Sequence, residues 1–226
     1  MSATSSTPTT AEQPGPAGRP AAVQAAEHPA ATPAKAAPAE STGKPSTRER
    51  LLSAAGELFY REGTVAVGVD RICQQAQVSK RSMYQLFGTK DDLVAQALRQ
   101  FGEHLLLAYL PIDGDPRSPR ERILSVFAWL DQASATPEFA GCPFVNAATE
   151  LKNADHPGTV VAREYKQRLT DFFEREARAA GAADPDLLAQ QLTITFDGCG
   201  SRVVVTGRPL NGLAVTTATA LINSAL

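Results

Sequence analysis

Apolar residues recur at three- and four-residue spacing along most of the chain after residue 46, which is the pattern of amphipathic helices. We expect the first helix to begin at Thr47 as its N-cap and to end near Gly63. Caps, prolines and glycines predict eight more helices at about 69–76, 79–87, 89–105, 118–130, 144–153, 157–181, 184–206 and 211–225. The valines at 203–205 suggest a strand, but a lone strand has no partner, so the prediction is all-α.

The first 46 residues have a different composition from the rest of the chain. They contain 13 alanines and 8 of the 16 prolines, and they lack leucine, isoleucine and aromatic residues. Such a segment cannot bury enough apolar surface to offset its ordering entropy, so we expect residues 1–46 to form a disordered tail. It also lacks the apolar middle part of a secretory signal. We place a first domain at 47–95 and a larger second domain at 96–226.

Charge and cysteine content exclude several classes of protein. The net charge of −2 excludes a histone-like protein, although residues 47–100 carry 8 basic and 6 acidic residues, a local excess of +2. Three scattered cysteines suit neither a disulfide framework nor a zinc site. No apolar run reaches the roughly 18 residues of a membrane helix. We therefore expect a cytoplasmic protein without a membrane segment, metal or cofactor.

The second and third predicted helices have the layout of a helix-turn-helix. Ser79 caps the third helix, and Lys80 and Arg81 follow on its first turn. Cations are unfavourable at a helix N-terminus, where a phosphate is well accepted, so these two residues favour a binding role over a structural one. The predicted buried stripe is Met83, Leu86 and Phe87. The predicted outward residues are Lys80, Arg81, Tyr84 and Gln85, of which Gln85 has the side chain to bind an adenine edge.

Two stretches carry a family resemblance. TRERLLSAAGELF at 47–59 and VSKRSMYQLFGTK at 78–90 resemble the tetracycline-repressor (TetR) family of bacterial transcription regulators. GCPFVNAATE at 141–150 and FDG at 196–198 are similar to stretches in one subgroup of that family. The resemblance implies an N-terminal three-helix DNA-binding domain with a helix-turn-helix, followed by a larger helical ligand-binding and dimerisation domain, about nine helices in all.

The resemblance also implies DNA contacts at individual positions. Ser79 begins the recognition helix. The residues at positions of backbone contact are Lys80, Ser82, Tyr84 and Lys90, and those at or beside positions of base contact are Arg81 and Gln85. Alternatively Tyr84 is a core aromatic residue, and Lys90 and Arg81 are solvated surface charges. Gln77 departs from the family, because it stands where a glycine usually forms a left-handed turn.

The family resemblance also implies that the second domain holds an effector pocket among helices four to eight and a dimer face on the last two helices. Candidate pocket residues are Phe101, Leu105, Phe127, Trp129, Phe139, Phe144, Asn146, Glu150, Tyr165 and Phe172, a mostly apolar set suited to a hydrophobic effector. Core packing is the alternative for each. Candidate dimer residues are Leu188, Leu192, Gly198, Ser201 and Val203, with tight intrachain packing of the small residues as the alternative.

These features predict a ligand-responsive, sequence-specific DNA-binding regulator rather than an enzyme. We expect a homodimeric repressor that a small hydrophobic effector releases from double-stranded operator DNA. The alternative is an α-helical small-molecule-binding or enzymatic protein whose helix-turn-helix mediates protein contacts. No catalytic set of residues supports that alternative. Cys142, near a predicted helix start, is a minor candidate for a redox-active thiol.

Overall fold

A computed structural model describes residues 44–226. Within that range the chain forms nine α-helices and no strand, which confirms the all-α prediction. The helices are α1 Thr47–Glu62, α2 Val69–Ala76, α3 Lys80–Phe87, α4 Lys90–Tyr109, α5 Pro119–Ala133, α6 Pro143–Leu151, α7 Pro157–Ala179, α8 Pro185–Thr206 and α9 Leu213–Ala225. Most of the tail predicted to be disordered, residues 1–43, lies outside the described residues.

The start of α1 corrects the predicted cap by one residue. Ser46, not Thr47, is the N-cap: its hydroxyl accepts a hydrogen bond from the Glu49 N–H at 3.2 Å, and the Glu49 carboxylate accepts one from the Ser46 N–H at 2.7 Å. This reciprocal capping box needs an acidic residue three positions after the cap, and Thr47 has Arg50 there. The predicted capping box at Ser118, which opens α5, is confirmed.

Helices α1 to α3 form a small N-terminal unit around a shared apolar core. Leu51, Ile72 and Met83, one from each helix, have no solvent exposure. Gln77 adopts the left-handed conformation between α2 and α3, with φ of 54°, as its position in the family pattern suggested. Leu86 was expected in the buried stripe but is 40% exposed, because it faces away from α1 and α2 at the end of α3.

Helix α7 organises the larger part of the molecule, packing against α4, α6 and α8, while α5 and α9 complete the bundle. Glu176 is the one buried charged residue among residues 44–226, and its carboxylate pairs with Arg122 at 2.6 Å and Arg175 at 3.0 Å. Helix α4 runs without a break through the boundary predicted at 95–96, so it connects the two parts and the exact division stays a prediction. In residues 44–226, no helix combines the length and the apolar character that crossing a membrane requires.

Candidate functional site

Helix α3 presents a polar, donor-rich surface. The Ser79 hydroxyl caps the helix by accepting a hydrogen bond from the Ser82 N–H at 3.1 Å. Lys80, Arg81 and Gln85 are exposed, and Tyr84 is 48% exposed. The helix is therefore anchored through Met83 and Phe87 and free along its other face. The outward direction of the predicted contact residues agrees with the structure, so Tyr84 is not a core aromatic residue.

The two lysines of this region have partners within the protein. The Lys80 ammonium lies 2.5 Å from the Asp70 carboxylate, and both side chains are largely exposed, so the pair adds little stability. The Lys90 ammonium donates hydrogen bonds to the carbonyl oxygens of Thr64 at 3.0 Å and Val65 at 3.5 Å. An ammonium has three donors, so Lys90 retains one for an anion while it holds the α1–α2 loop against the start of α4.

A cavity of about 20 Å³ lies inside the larger part of the molecule, with room for about one water molecule. Its walls come from α4, α5, α6, α7, α8 and the α5–α6 connection, residues 134–142. The lining residues are Leu105, Tyr109, Trp129, Leu130, Phe139, Gly141, Cys142, Pro143, Phe144, Lys166, Phe196 and Gly200. This wall is rich in aromatic rings and has few polar groups, as small-molecule sites usually do.

The polar groups of this cavity form a cluster. The Lys166 ammonium donates to the Asp197 carboxylate and lies 5.3 Å from the centre of the Phe196 ring. Burial raises the pKa of Asp197 while Lys166 opposes that shift. Burial also raises the pKa of the Cys142 thiol, which keeps the sulfur protonated and favours a small apolar residue over a reactive thiolate.

Tyr60 connects α1 to the α5–α6 connection. Its buried hydroxyl donates to the Gly141 carbonyl oxygen at 3.2 Å and accepts from the Ala140 N–H at 2.8 Å. The Asn146 amide donates to the Ala140 carbonyl oxygen at 2.7 Å from the first turns of α6. The wall of the cavity is therefore hydrogen-bonded directly to the N-terminal unit.

A second contact between the two parts lies at the other end of α6. The Glu150 carboxylate accepts a hydrogen bond from the Val65 N–H at 3.1 Å. A smaller cavity of about 10 Å³ lies between these two contacts. Its lining residues are Gly56, Phe59, Tyr60, Thr64, Ala97, Leu98, Phe101, Pro143 and Asn146. The connection that precedes α6 is thus hydrogen-bonded to α1, and the last turn of α6 is hydrogen-bonded to the loop that follows α1.

Helices α8 and α9 leave an apolar strip uncovered. Ile194 is 71% exposed and Val205 is 84% exposed, and Gly198 and Ser201 lie exposed between them on the same face of α8. Leu213, at the start of α9, is also exposed. Large apolar residues at helical spacing on a surface mark a contact with another molecule more often than an ordinary solvated face.

Comparisons with known proteins agree with this architecture. The model of the family "Bacterial regulatory proteins, tetR family" matches residues 51–97. The crystal structure of a TetR transcriptional regulator (sav143) from Streptomyces avermitilis superimposes with a TM-score of 0.77 and 46% sequence identity, over 80% of this chain and 98% of that one. The chain belongs to the TetR family.

More distant relatives of this TetR-family regulator are also transcription regulators. The HTH-type transcriptional regulator YjdC of Escherichia coli is 21% identical over 160 residues, covering 70% of this chain and 83% of that protein. The HTH-type transcriptional repressor KstR2 of Mycolicibacterium smegmatis is 28% identical over 144 residues, covering 63% and 70%. These relatives confirm the predicted DNA-binding transcription regulator and do not favour the alternative of a binding or enzymatic protein.

The structure divides the predicted pocket residues into two groups. Leu105, Trp129, Phe139 and Phe144 line the larger cavity, and Phe101 and Asn146 line the smaller one. The residues that line neither cavity are Phe127, Glu150, Tyr165 and Phe172.

Each of those four has a structural role instead. Phe127 stacks on Phe173 in the core, and Glu150 binds the Val65 N–H. Tyr165 stacks on Phe144, but its hydroxyl points away to the Arg99 carbonyl oxygen and Glu103. Phe172 is buried under the guanidinium of Arg175. Helical periodicity identifies these residues as inward-facing, but it does not distinguish a packed core from a cavity wall.

The predicted dimer residues also need correction. Leu188, Leu192 and Val203 are buried within the chain's own core, so they are not available to a partner. Gly198 and Ser201 are exposed and stay candidates. Ile194 and Val205 were not predicted to be exposed, because α8 is apolar on two faces and the sequence does not show which face meets α7.

Several cavity residues were missed as well. The missed set is Tyr109, Leu130, Gly141, Cys142, Pro143, Lys166, Phe196 and Gly200. Tyr109 follows Leu105 by one helical turn and lies on the same face of α4, which is a signal that the sequence contained. Lys166 gave no such signal, because a lysine within a charged helix is usually exposed.

Proposed function

We propose that this TetR-family regulator is a homodimeric repressor whose hold on operator DNA is released by a small hydrophobic effector in the larger cavity. The proposal rests on one observation above all. The α5–α6 connection lines the cavity with Phe139 and Cys142, and it is hydrogen-bonded to α1 through Tyr60. A change in the cavity therefore has a direct physical route to the DNA-binding unit.

The contacts with DNA are assigned to α3 and the start of α4. Backbone N–H groups at the Ser79 end of α3 attract a phosphate, and Lys80, Ser82, Tyr84 and Lys90 add charged and hydroxyl donors around it. Arg81 and Gln85 carry the bidentate donors that recognise guanine and adenine edges in the major groove. The exposed face of α3 supports this assignment.

Dimerisation is assigned to the exposed apolar strip of α8 and α9. Two recognition helices must reach half-sites about 34 Å apart, which a two-fold dimer provides. Ile194, Val205 and Leu213 supply apolar area, and Gly198 and Ser201 allow close approach of a symmetric helix.

Release requires that the cavity open. Its present volume of about 20 Å³ is far below the roughly 300 Å³ or more of a ligand site, so an effector must displace side chains and the α5–α6 connection. Displacing residues 139–142 moves the groups that Tyr60 binds. The effector then favours the conformation with the open cavity, and the DNA favours the closed one, which makes the two ligands compete through coupled affinities.

The DNA contacts are tested by anisotropy of a labelled duplex from upstream of the gene, at two salt concentrations and with an unrelated competitor. We expect the double variant Tyr84→Phe plus Lys90→Ala to bind at least tenfold more weakly and to show a shallower salt dependence, because phosphate contacts release counterions. The control is Arg163→Ala, an exposed substitution on α7, which should keep both the helical content and the DNA affinity of the unmodified chain. Unchanged affinity in the double variant would refute the assigned surface.

A further inference from the structure

The four tyrosines of the chain differ in what their hydroxyl groups contact. Tyr60 binds two backbone groups, and Tyr165 binds the Arg99 carbonyl oxygen and the Glu103 carboxylate. Tyr84 is exposed to solvent. Tyr109 is only 7% exposed and lines the larger cavity, and its hydroxyl makes no hydrogen bond to any residue in 44–226. It is thus the one buried tyrosine of the chain whose hydroxyl lacks a protein partner.

The Tyr109 hydroxyl is not sealed in the core, because the one fully buried side-chain oxygen or nitrogen without a partner in residues 44–226 is the Thr159 hydroxyl oxygen. The Tyr109 hydroxyl therefore opens into the cavity that Tyr109 lines, where it is free to bind a water molecule or a ligand. Burial, with a smaller effect of the nearby Asp197 carboxylate, raises the pKa of Tyr109, so its hydroxyl stays neutral and able to donate.

The charged groups beside the cavity form an ion pair, and only its cation belongs to the lining. Lys166 is the one charged residue of the lining, while its partner Asp197 is not part of it. The ammonium uses one donor on Asp197 and has two left. A ligand therefore meets two donors, the Tyr109 hydroxyl and the Lys166 ammonium, and no carboxylate.

The rest of the wall is aromatic. The Tyr109 ring lies 5.2 Å from the Trp129 ring and 5.6 Å from the Phe196 ring, centre to centre, and Phe139 and Phe144 also line the cavity. Such rings favour offset or edge contacts with a flat aromatic guest. Phe139 lies on the α5–α6 connection rather than in a helix, so its displacement is the least disruptive way to admit one.

We propose that the effector is a flat aromatic compound bearing a hydrogen-bond acceptor, a carboxylate or a carbonyl, which the Tyr109 hydroxyl and the Lys166 ammonium bind together. This inference rests on the proposed function, since it specifies the ligand of the same cavity. Tyr109 provides the neutral donor and Lys166 the charged one. An aromatic ammonium compound would meet the Lys166 ammonium directly, so we expect it to bind more weakly than an acceptor compound of the same ring.

Calorimetry on the full-length protein without DNA tests the ligand class. The probes are benzoate, benzamide and benzylammonium, and the same three derivatives of naphthalene, so that ring size and polar group vary separately. We expect the carboxylate and the carboxamide to bind at least tenfold more tightly than the ammonium compound of the same ring. Trp129 is the only tryptophan and lines the cavity, so a change in its fluorescence on adding a one-ring probe shows that the probe binds there.

Two variants test the named donors. Tyr109→Phe is expected to weaken binding of both acceptor compounds about tenfold, the value of one hydrogen bond, while changing the melting temperature little. Lys166→Met is expected to weaken the carboxylate more than the carboxamide. Arg163→Ala, an exposed substitution on α7 outside both proposed sites, is the control and should leave the affinities unchanged.

The proposal is overturned if all three polar groups give equal affinity, if no probe binds at millimolar concentration, or if Tyr109→Phe binds like the unmodified chain. Each of these results leaves the DNA-binding role intact. If the acceptor compounds bind as expected but fail to release operator DNA, the ligand class stands and the release mechanism under the proposed function fails.

Discussion

Removing the hydroxyl group of Tyr60 tests the contact between α1 and the α5–α6 connection. Phenylalanine at this position keeps the ring and its stacking on Phe101, at 5.5 Å between ring centres. It removes the hydrogen bonds to the Ala140 N–H and the Gly141 carbonyl oxygen. The variant therefore changes the connection between the two parts and little else.

The expected loss of stability follows from these two groups. Gly141 is buried, so its carbonyl oxygen is left unsatisfied, which costs about 1–3 kcal/mol. Ala140 is half-exposed and its N–H can find water, so we assign it less than 1 kcal/mol. We expect the free energy of unfolding of Tyr60→Phe to fall by about 2–3 kcal/mol.

Alkaline pH gives an independent check on the same group. Burial raises the pKa of Tyr60 from its ordinary value of 10 to about 12. The folded state therefore favours the protonated hydroxyl, so the stabilisation is complete below pH 10 and is lost as the pH rises through 12. The stability difference between the unmodified chain and Tyr60→Phe should be constant at neutral pH and shrink in that alkaline window.

Urea denaturation followed by circular dichroism measures the effect, at equal protein concentrations because dimerisation adds to apparent stability. Tyr84→Phe, which alters an exposed hydroxyl, is the matched control and should change the free energy of unfolding by less than about 0.5 kcal/mol. If Tyr60→Phe also loses less than about 0.5 kcal/mol, the hydrogen bonds of the Tyr60 hydroxyl are not a significant contact between the two parts.

Three other substitutions test separate features of the fold by the same denaturation assay. Gly102→Ala places a Cβ atom 2.5 Å from a ring carbon of Tyr165 and is expected to destabilise by about 1–3 kcal/mol or more; a neutral result would show that α4 and α7 are less tightly packed. Gln77→Gly relieves a left-handed residue and should stabilise by about 1 kcal/mol, whereas destabilisation would contradict that conformation. Glu176→Gln leaves Arg122 without its buried anion and should lose about 3 kcal/mol; a loss no larger than that of an exposed acidic residue would refute the pairing.

Local signals in the sequence were sufficient to predict where the helices begin and end. Pro119, Pro143, Pro157 and Pro185 each stand at the first position of a helix, where proline is favoured, so the predicted starts lie within about one residue of those observed. The predicted cap of α1 was wrong because Ser46 and Thr47 are adjacent hydroxyl residues, and only Ser46 has an acidic residue, Glu49, three positions later.

The two groups of site residues differ in how far the sequence predicts them. Those of α3 were predicted because capping, charge and spacing are local, and Lys80 and Arg81 contradict the needs of an isolated helix. The cavity depends on how five helices meet, which no short pattern encodes. Phe127 and Leu130 illustrate this, since they lie three residues apart on the same buried stripe of α5 but only Leu130 lines the cavity.

Selection of genomic DNA fragments by the purified full-length protein tests the central claim, recognition of operator DNA through α3. The unmodified chain and the variant Arg81→Ala plus Gln85→Ala, with matching circular dichroism, are compared on the same sheared genome. We predict that the unmodified chain enriches fragments sharing an inverted repeat, with half-sites about one helical turn apart, and that the variant loses this enrichment. Equal enrichment by both proteins, or no shared sequence with the unmodified chain, would contradict the account.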